Sequence, residues 1–259
     1  MRMKRWRASI QFAGLLVAGC AAAPSLPPPP THPNGQALWR IVHDQCVADQ
    51  RAHGDPAPCT VVDLARGEAH GYVVLKDRVG EAQFLLMPTG KITGIEDPAI
   101  LAGDAPNYFA KAWDERGLVS DRLGRSVDRT RMSVAVNSIY GRSQDQLHLH
   151  IDCVDRSVGD ALRHAPPPSA DWASGRIPLK GHAYRVRWLD AGQLEGSNPF
   201  KLLAEAFPNA RGDMGAWTLA LVGARKADGA EGFYLLADRA EPALGDRASA
   251  EELQDHDCR

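Results

Sequence analysis

The 259-residue chain has no long hydrophobic run, no basic surplus and few aromatic side chains. Without 18 or more consecutive apolar residues, a conventional membrane-spanning helix is not expected. The net charge of −2 argues against a nucleic-acid-binding module, which normally carries excess Lys and Arg. A C-x-x-C pair, a P-loop, a G-x-S-x-G elbow and a glycine-rich dinucleotide signature are also missing. Hydrophobic residues nevertheless make up 44% of the chain, which predicts a globular protein.

The N-terminal segment has the features of a targeting signal. Four basic residues precede a mildly apolar stretch, Ala8–Ala18, that is too short to cross a bilayer core of ~30 Å. The stretch ends at Gly19-Cys20, and Val17-Ala18-Gly19-Cys20 resembles the lipobox of bacterial lipoproteins, in which the cysteine is lipidated. Residues 1–19 are therefore predicted to be a lipoprotein signal peptide and Cys20 the lipidation site. An uncleaved anchor or a chance cysteine is the alternative.

A proline run separates this segment from the rest of the chain. Pro27–Pro30 cannot pack as a helix or as an inner strand, so residues 20–34 are predicted to form an extended tether. Residues 35–259 then form the folded domain. Acyl chains on Cys20 would attach it to a membrane of the bacterial cell envelope, facing the periplasm or the exterior.

The remaining cysteines are even in number, so all of them can pair as disulfides, which form in the oxidising compartments that exported proteins reach. Cys46, Cys59, Cys153 and Cys258 allow three pairings. We prefer Cys46–Cys59, which closes a short loop, and Cys153–Cys258, which joins the C-terminal tail to a strand.

Apolar periodicity predicts an α+β fold with a largely antiparallel sheet. Strands are expected at residues 71–77, 83–88, 132–137, 147–154, 183–189, 217–222 and 232–237. The longest helix is expected over residues 107–123, with Asn107 as its cap, and the capping-box pattern of Ser249–Glu252 predicts a terminal helix. Whether the part after Pro168 forms a second domain or continues the same core is left open.

One strand carries an unusual polar face. Side chains alternate between the two faces of a strand, so Gln146, His148, His150 and Asp152 share one face and apolar residues share the other. Two imidazoles side by side gain nothing from packing, which favours a functional site. Three interpretations compete: a nucleophilic imidazole, a metal site of the H-x-H-x-D type, and an exposed polar face on an edge strand. The first is favoured, because the turn Gly141–Gln144 offers backbone N–H groups that suit a phosphate.

These residues resemble a known superfamily. The stretch from Asn137 through Gly141, Ser143 and Gln146 to His148 and His150 is similar to the histidine triad nucleotide hydrolases and transferases. Nearly the whole exported chain, from about Leu38 to Cys258, resembles the bacterial CDP-diacylglycerol pyrophosphatase family within that superfamily. The segments that carry this resemblance are residues 71–77, 85–89, 94–98, 198–200, 247–252 and 254–256.

The resemblance implies a histidine triad-like fold and hydrolysis of CDP-diacylglycerol to CMP and phosphatidic acid in phospholipid metabolism. His148 matches the nucleophile that takes the nucleotidyl group, and His150 matches the histidine that supports the phosphate. Asn137 and Ser143 match positions that bind phosphate or the leaving group, and Asp77 matches one that holds the ribose hydroxyls. Gln146, expected to bind substrate as well, stands where the superfamily has its first histidine, so a role that needs a charged group is in doubt there.

No metal or other cofactor is implied, and the expected partner is CDP-diacylglycerol in a membrane, with the inner membrane favoured. No nucleic acid or protein partner is evident. Three further histidines, His164, His182 and His256, lie in unrelated segments and are predicted to be surface or structural residues. A metal-dependent phosphoesterase and a non-catalytic CDP-lipid-binding lipoprotein remain the alternatives.

Overall fold

The computed structural model describes residues 26–165, 169–172, 176–207 and 210–259. The segment predicted to be a signal peptide, residues 1–19, and the predicted lipidation site Cys20 lie outside the described residues. Within the described part, no helix is both long enough and apolar enough to cross a membrane.

Ten strands form one sheet in which every paired neighbour is antiparallel. They are β1 (Val61–Asp63), β2 (Tyr72–Lys76), β3 (Phe84–Pro88), β4 (Met132–Val136), β5 (Leu149–Val154), β6 (Arg176–Leu179), β7 (His182–Asp190), β8 (Trp217–Arg225), β9 (Glu231–Arg239) and β10 (Gln254–Asp255). Their spatial order is β1-β2-β3-β5-β4-β8-β9-β7-β6, and β10 pairs with the end of β5. The predicted α+β class with a largely antiparallel sheet is confirmed. Because β8 pairs with β4, the strands after Pro168 continue the same sheet.

The helices are short and lie on both faces of the sheet. They are α1 (Ala37–Arg40), a π-helical stretch (Ile41–Val47), α2 (Ala48–His53), α3 (Tyr108–Asp114), α4 (Gly117–Leu123), α5 (Arg156–His164) and α6 (Pro199–Ala206). Single 3-10 turns lie at Glu68–His70, Pro98–Leu101, Arg129–Arg131, Ala191–Gln193, Ala210–Gly212, Met214–Ala216, Pro242–Leu244 and Ala250–Leu253.

Two helix predictions were wrong. The helix expected over residues 107–123 is divided into α3 and α4, because the Arg116 guanidinium donates to the Trp113 carbonyl (2.6 Å) and the chain turns before Gly117. Asn107 does cap α3, accepting from the Ala110 N–H at 3.2 Å. The terminal helix expected from Ser249 is a single 3-10 turn, Ala250–Leu253, followed by β10, since pairing with β5 draws the chain into the sheet.

The hydrophobic core has a large cluster on one face of the sheet. Two smaller clusters include residues of the opposite face. Leu149 and Ile151 of β5 belong to the large cluster, together with Phe109 of α3 and Phe200 of α6. A smaller cluster joins β2 and β3 to the π-helical stretch, which contributes Val42. The remaining cluster includes residues of α5, the Ala250–Leu253 turn and β7–β9. His150 of β5, and His148 just before this strand, lie on the face opposite Leu149 and Ile151.

Candidate active site

His148 lies immediately before β5 and His150 lies within it. His150 pairs with Leu85 of β3 and with Ala135 of β4, so the strand is internal at this point rather than an edge. The two imidazole rings meet edge to face, with centroids 5.0 Å apart. Both side chains are buried, with 7% of His148 and 4% of His150 exposed. An exposed polar face on an edge strand is therefore ruled out.

The hydrogen bond of His148 determines which ring nitrogen carries the proton. Its Nδ1 lies 2.7 Å from the backbone carbonyl of Gln146. A carbonyl oxygen can only accept, so Nδ1 donates and Nε2 keeps a free lone pair. Burial, and secondarily the charge of His150, lower the pKa of His148 to about 4. The imidazole is therefore neutral at pH 7, with Nε2 unprotonated.

His150 is oriented by an amide and a carboxylate from distant segments. Nε2 of Gln83 lies 2.7 Å from Nδ1 of His150 and donates to Oε1 of Glu251 at 3.1 Å. Because a carboxylate accepts only, the Gln83 amide must present its N–H₂ group here, so Nδ1 of His150 accepts. The neutral ring then carries its proton on Nε2, which is buried and has no partner in the described part of the chain. Burial lowers the pKa of His150 despite the opposing charge of Glu251.

Glu251 connects His150 to Asn137. The Asn137 amide donates to the Glu251 carboxylate (3.0 Å), and its oxygen accepts from the Glu251 backbone N–H (3.2 Å). Burial acts to raise the pKa of Glu251, but the charge of His150 and the hydrogen bonds from Gln83 and Asn137 outweigh it and hold the pKa below its ordinary value. Glu251 is therefore a carboxylate held beside the histidine pair.

The C-terminal tail closes the rear of the site. His256 bonds through Nδ1 to Asp152 (2.7 Å), and its Nε2 lies 3.7 Å from Glu251. The tail is attached by the Cys153–Cys258 disulfide, and a second disulfide joins Cys46 to Cys59. Both predicted pairings are confirmed.

A cleft of about 350 Å³ opens over the histidine pair. Five of the six residues predicted for the site line it: Asp77, Asn137, Ser143, His148 and His150. The apolar part of the wall comes from Ala37, Leu38, Ile41, Leu75, Val79 and Leu85, and the polar part includes Lys76, Arg78, Arg142, Gln144 and Glu251. A larger cavity, of about 600 Å³, lies beside α5 and the β8–β9 turn, and none of the predicted site residues lines it.

Gln146 does not line the cleft. Its side chain is fully buried, and its amide nitrogen donates to the backbone carbonyls of Pro88 (2.9 Å) and Gly90 (3.1 Å). These bonds tie the start of the histidine strand to the end of β3.

The turn expected to bind phosphate is partly committed to internal bonds. The backbone N–H groups of Gly141 and Arg142 donate to the Ser138 carbonyl, at 3.1 and 3.0 Å. Within the described part of the chain, those of Ser143 and Gln144 donate to no protein acceptor. The turn thus retains two adjacent backbone donors at the cleft.

Potential metal ligands do not gather at the histidine pair. Among the described residues, neither His148 nor His150 belongs to a group of three His, Cys, Asp or Glu ligand atoms within 4.8 Å of one another. Asp152, the third member of H-x-H-x-D, accepts from the Cys153 N–H (2.7 Å) and bonds to His256. These contacts occupy both of its oxygens, so the residues present do not form the predicted alternative metal site.

Sequence reasoning missed four residues of the site: Gln83, Arg142, Glu251 and His256. Arg142 is buried under the turn, where it pairs with Glu96 (2.5 Å) and Asp145 (3.2 Å). Gln83 and Glu251 are 168 positions apart, so no local pattern could have joined them. The expectation that His256 is a surface or structural residue overlooked its place beside Glu251.

Most of the chain is similar to known proteins. A family model described as CDP-diacylglycerol pyrophosphatase matches residues 33–259. A relative from Yersinia pestis, named CDP-diacylglycerol pyrophosphatase, is 43% identical over 226 residues, which is 87% of this chain and 84% of the relative. The matched region contains the cleft, the histidine pair and the tail. The chain therefore belongs to the CDP-diacylglycerol pyrophosphatase family.

Proposed function

We propose that this protein hydrolyses CDP-diacylglycerol to CMP and phosphatidate in phospholipid metabolism, through a nucleotidyl intermediate on His148. The observation that carries the mechanism is the bond from Nδ1 of His148 to the Gln146 carbonyl, which leaves Nε2 unprotonated beside the cleft. Membership of the family supports the choice of substrate.

The reaction proceeds in two displacements. Nε2 of His148 attacks the phosphorus next to the cytidine; a P–N bond forms, and the P–O bond to phosphatidate breaks with its electron pair leaving on that oxygen. Water then attacks the same phosphorus, the P–N electrons return to Nε2, and the water releases a proton to solvent. The Gln146 carbonyl stabilises the positive charge that the ring carries while Nε2 is bonded to phosphorus. Phosphatidate is a good leaving group, so positioning matters more than a strong acid.

His150 is proposed to donate from Nε2–H to a phosphate oxygen. The contact from Gln83 makes Nδ1 the acceptor, so the proton lies on Nε2, a buried atom that lacks a protein partner. An unsatisfied buried donor costs about 1–3 kcal/mol, and a charged phosphate oxygen would remove that cost. The N–H groups of Ser143 and Gln144 supply further donors at the turn. Asp77 is proposed to accept from the ribose hydroxyls.

This arrangement supports assigning the site to the histidine triad type. Its second and third histidines are adjacent on one strand, as in the pattern that the sequence resembles. The position of the first is taken by Gln146, which bonds to backbone carbonyls and is proposed to fix the strand rather than to touch substrate.

Attachment to the membrane through Cys20 also remains a proposal. Leu26 packs against the large core cluster, and the Tyr140 hydroxyl donates to the Pro27 carbonyl at 2.7 Å. The predicted tether therefore meets the domain beside Gly141, at the edge of the cleft. Leu26 is six positions after Cys20, which gives a reach of at most ~20 Å. A lipid on Cys20 would thus hold the cleft close to a bilayer that contains the substrate.

The full chain, assayed in detergent with CDP-diacylglycerol and excess EDTA, tests the proposal. We expect His148→Asn to lower the rate of CMP release at least ~10³-fold, because the P–N bond cannot form. His164→Asn, which changes an exposed histidine on α5, is the matched control and should match the wild type. Acid-quenched wild type should carry a cytidylyl group that His148→Asn lacks. CMP release by a folded His148→Asn at the wild-type rate would refute the mechanism, whereas a wild type that bound CDP-diacylglycerol without releasing CMP would be a carrier.

A further inference from the structure

The tail places a third histidine behind the histidine pair. β10 pairs with β5, so that Asp255 lies opposite Cys153, and the next residue, His256, turns toward the site. Its Nδ1 bonds to Asp152 (2.7 Å), and its Nε2 faces Glu251 at 3.7 Å. Glu251 in turn lies 3.4 Å from Nδ1 of His150. Carboxylates and imidazoles thus alternate from Asp152 through His256 and Glu251 to His150.

This row determines the charge beside the reacting residues. The hydrogen bond with Asp152, followed by the charges of Asp152, Glu251 and Asp77, raises the pKa of His256, although burial acts in the opposite direction. The surrounding titratable groups are Lys76 and Asp77 at the end of β2, His150 and Asp152 of β5, and Glu251 of the preceding turn. An imidazolium at position 256 is the cation that balances the two carboxylates.

We propose that His256 is a positioning residue: as a cation between Asp152 and Glu251, it keeps His150 uncharged and its Nε2–H directed to the substrate. The inference rests on the proposed function, since it assigns His256 to the same reaction. His256 is absent from the cleft lining, so it acts through Glu251 and not by touching substrate.

The reason for such a residue is visible in the geometry. Glu251 alone would favour a second proton on His150, on the nitrogen that accepts from Gln83. A doubly protonated His150 would lose that bond and would donate from Nδ1 to Glu251 instead. The charge of His256 opposes this protonation. The C-terminal tail therefore places a third imidazole, that of His256, beside the histidine strand, which has glutamine instead of a histidine at position 146.

The chain offers a closely matched control. His182 bonds to Glu252 at 2.7 Å, just as His256 faces the adjacent Glu251, and their side chains are 28% and 31% exposed. His182 makes no contact with His150. Comparing His256→Gln with His182→Gln therefore separates loss of a histidine–glutamate pair from loss of the cation behind His150.

Two measurements on the full chain test the proposal. In the pH profile of kcat/KM for CMP release, His256→Gln should move the acid limb up by about 1 pH unit and so lower the value at pH 5, while His182→Gln leaves the limb in place. NMR titration of the imidazoles, which needs no turnover, should show His150 titrating at higher pH in His256→Gln than in the wild type. In the wild type, His256 should titrate above His150.

The reverse order of titration in the wild type would overturn the proposal, even if no variant folded. It would also fail if His256→Gln and His182→Gln lowered the Tm alike and left the pH profile unchanged. A chain that released no CMP at all would contradict the proposed function, and the NMR order would still report on His256.

Discussion

The two disulfides close loops of very different length, and this difference predicts how much each stabilises the fold. The linked residues are 13 positions apart in Cys46–Cys59 and 105 apart in Cys153–Cys258. A cross-link removes more conformational entropy from the unfolded chain when it closes a longer loop: about 3 kcal/mol for about 15 residues and about 4.7 kcal/mol for about 100. All four cysteines are buried, so replacing either pair by alanine leaves comparable cavities.

We therefore expect Cys153→Ala/Cys258→Ala to lower the free energy of unfolding by about 1.7 kcal/mol more than Cys46→Ala/Cys59→Ala does. For a chain of this size the difference corresponds to a Tm about 3–7 °C lower. The assay is urea unfolding of the full chain followed by circular dichroism, with calorimetry for the Tm. The tail keeps its β10 pairing and the bonds of the Gln254 amide to Ser133 and His150 (both 3.0 Å), so the long-loop variant should still fold.

The same pair of variants separates stability from function. The long-loop variant loosens the tail that carries His256, whereas the short-loop variant leaves the contacts of the tail in place. At temperatures where both variants are fully folded, CMP release should fall more in the former than in the latter. Equal losses of stability, or a larger loss for Cys46→Ala/Cys59→Ala, would refute the loop-length reasoning.

Two further predictions concern the site. Burial and His150 lower the pKa of His148 to about 4, and the unprotonated ring is the proposed nucleophile, so kcat/KM for CMP release should stay level from about pH 7 to about pH 5 and fall as the pH drops through about 4. An acid limb near pH 6.5 would contradict this assignment. Gly94→Ala should lower the free energy of unfolding in urea by about 1–3 kcal/mol and reduce CMP release, because the new methyl group meets the Arg142 guanidinium. Gly103→Ala, where nothing lies within 4 Å of the new methyl group, is the control. Equal effects of the two substitutions would refute the argument.

Local patterns in the sequence predicted much of the fold. The alternation around His148 and His150 placed both histidines on one face, since side chains on a strand have a period of two. The hairpin of β2 and β3 follows from two apolar runs joined by a turn at Gly80. The disulfide pairs could be chosen from four cysteines because few pairings are possible.

Patterns failed where a particular contact, local or from a distant segment, outweighed the helical preference. Residues 107–123 have helical spacing throughout, yet the bond from Arg116 to the Trp113 carbonyl ends α3. Ser249–Glu252 has the capping-box pattern of a helix, yet the Glu251 N–H is bound by Asn137, which is 114 positions away, and the chain continues into β10.

The sequence by itself determined the strand of the two histidines, the cysteine pairs and the family, because each depends on residue types at short or matched spacings. Only the tertiary structure decided the charge around that strand. Gln83, Glu251 and His256 reach His150 and Asp152 across separations of 67 to 104 positions. Burial then changes the pKa of the four titratable side chains among them, His150, Asp152, Glu251 and His256, and burial depends on the packing of the complete sheet.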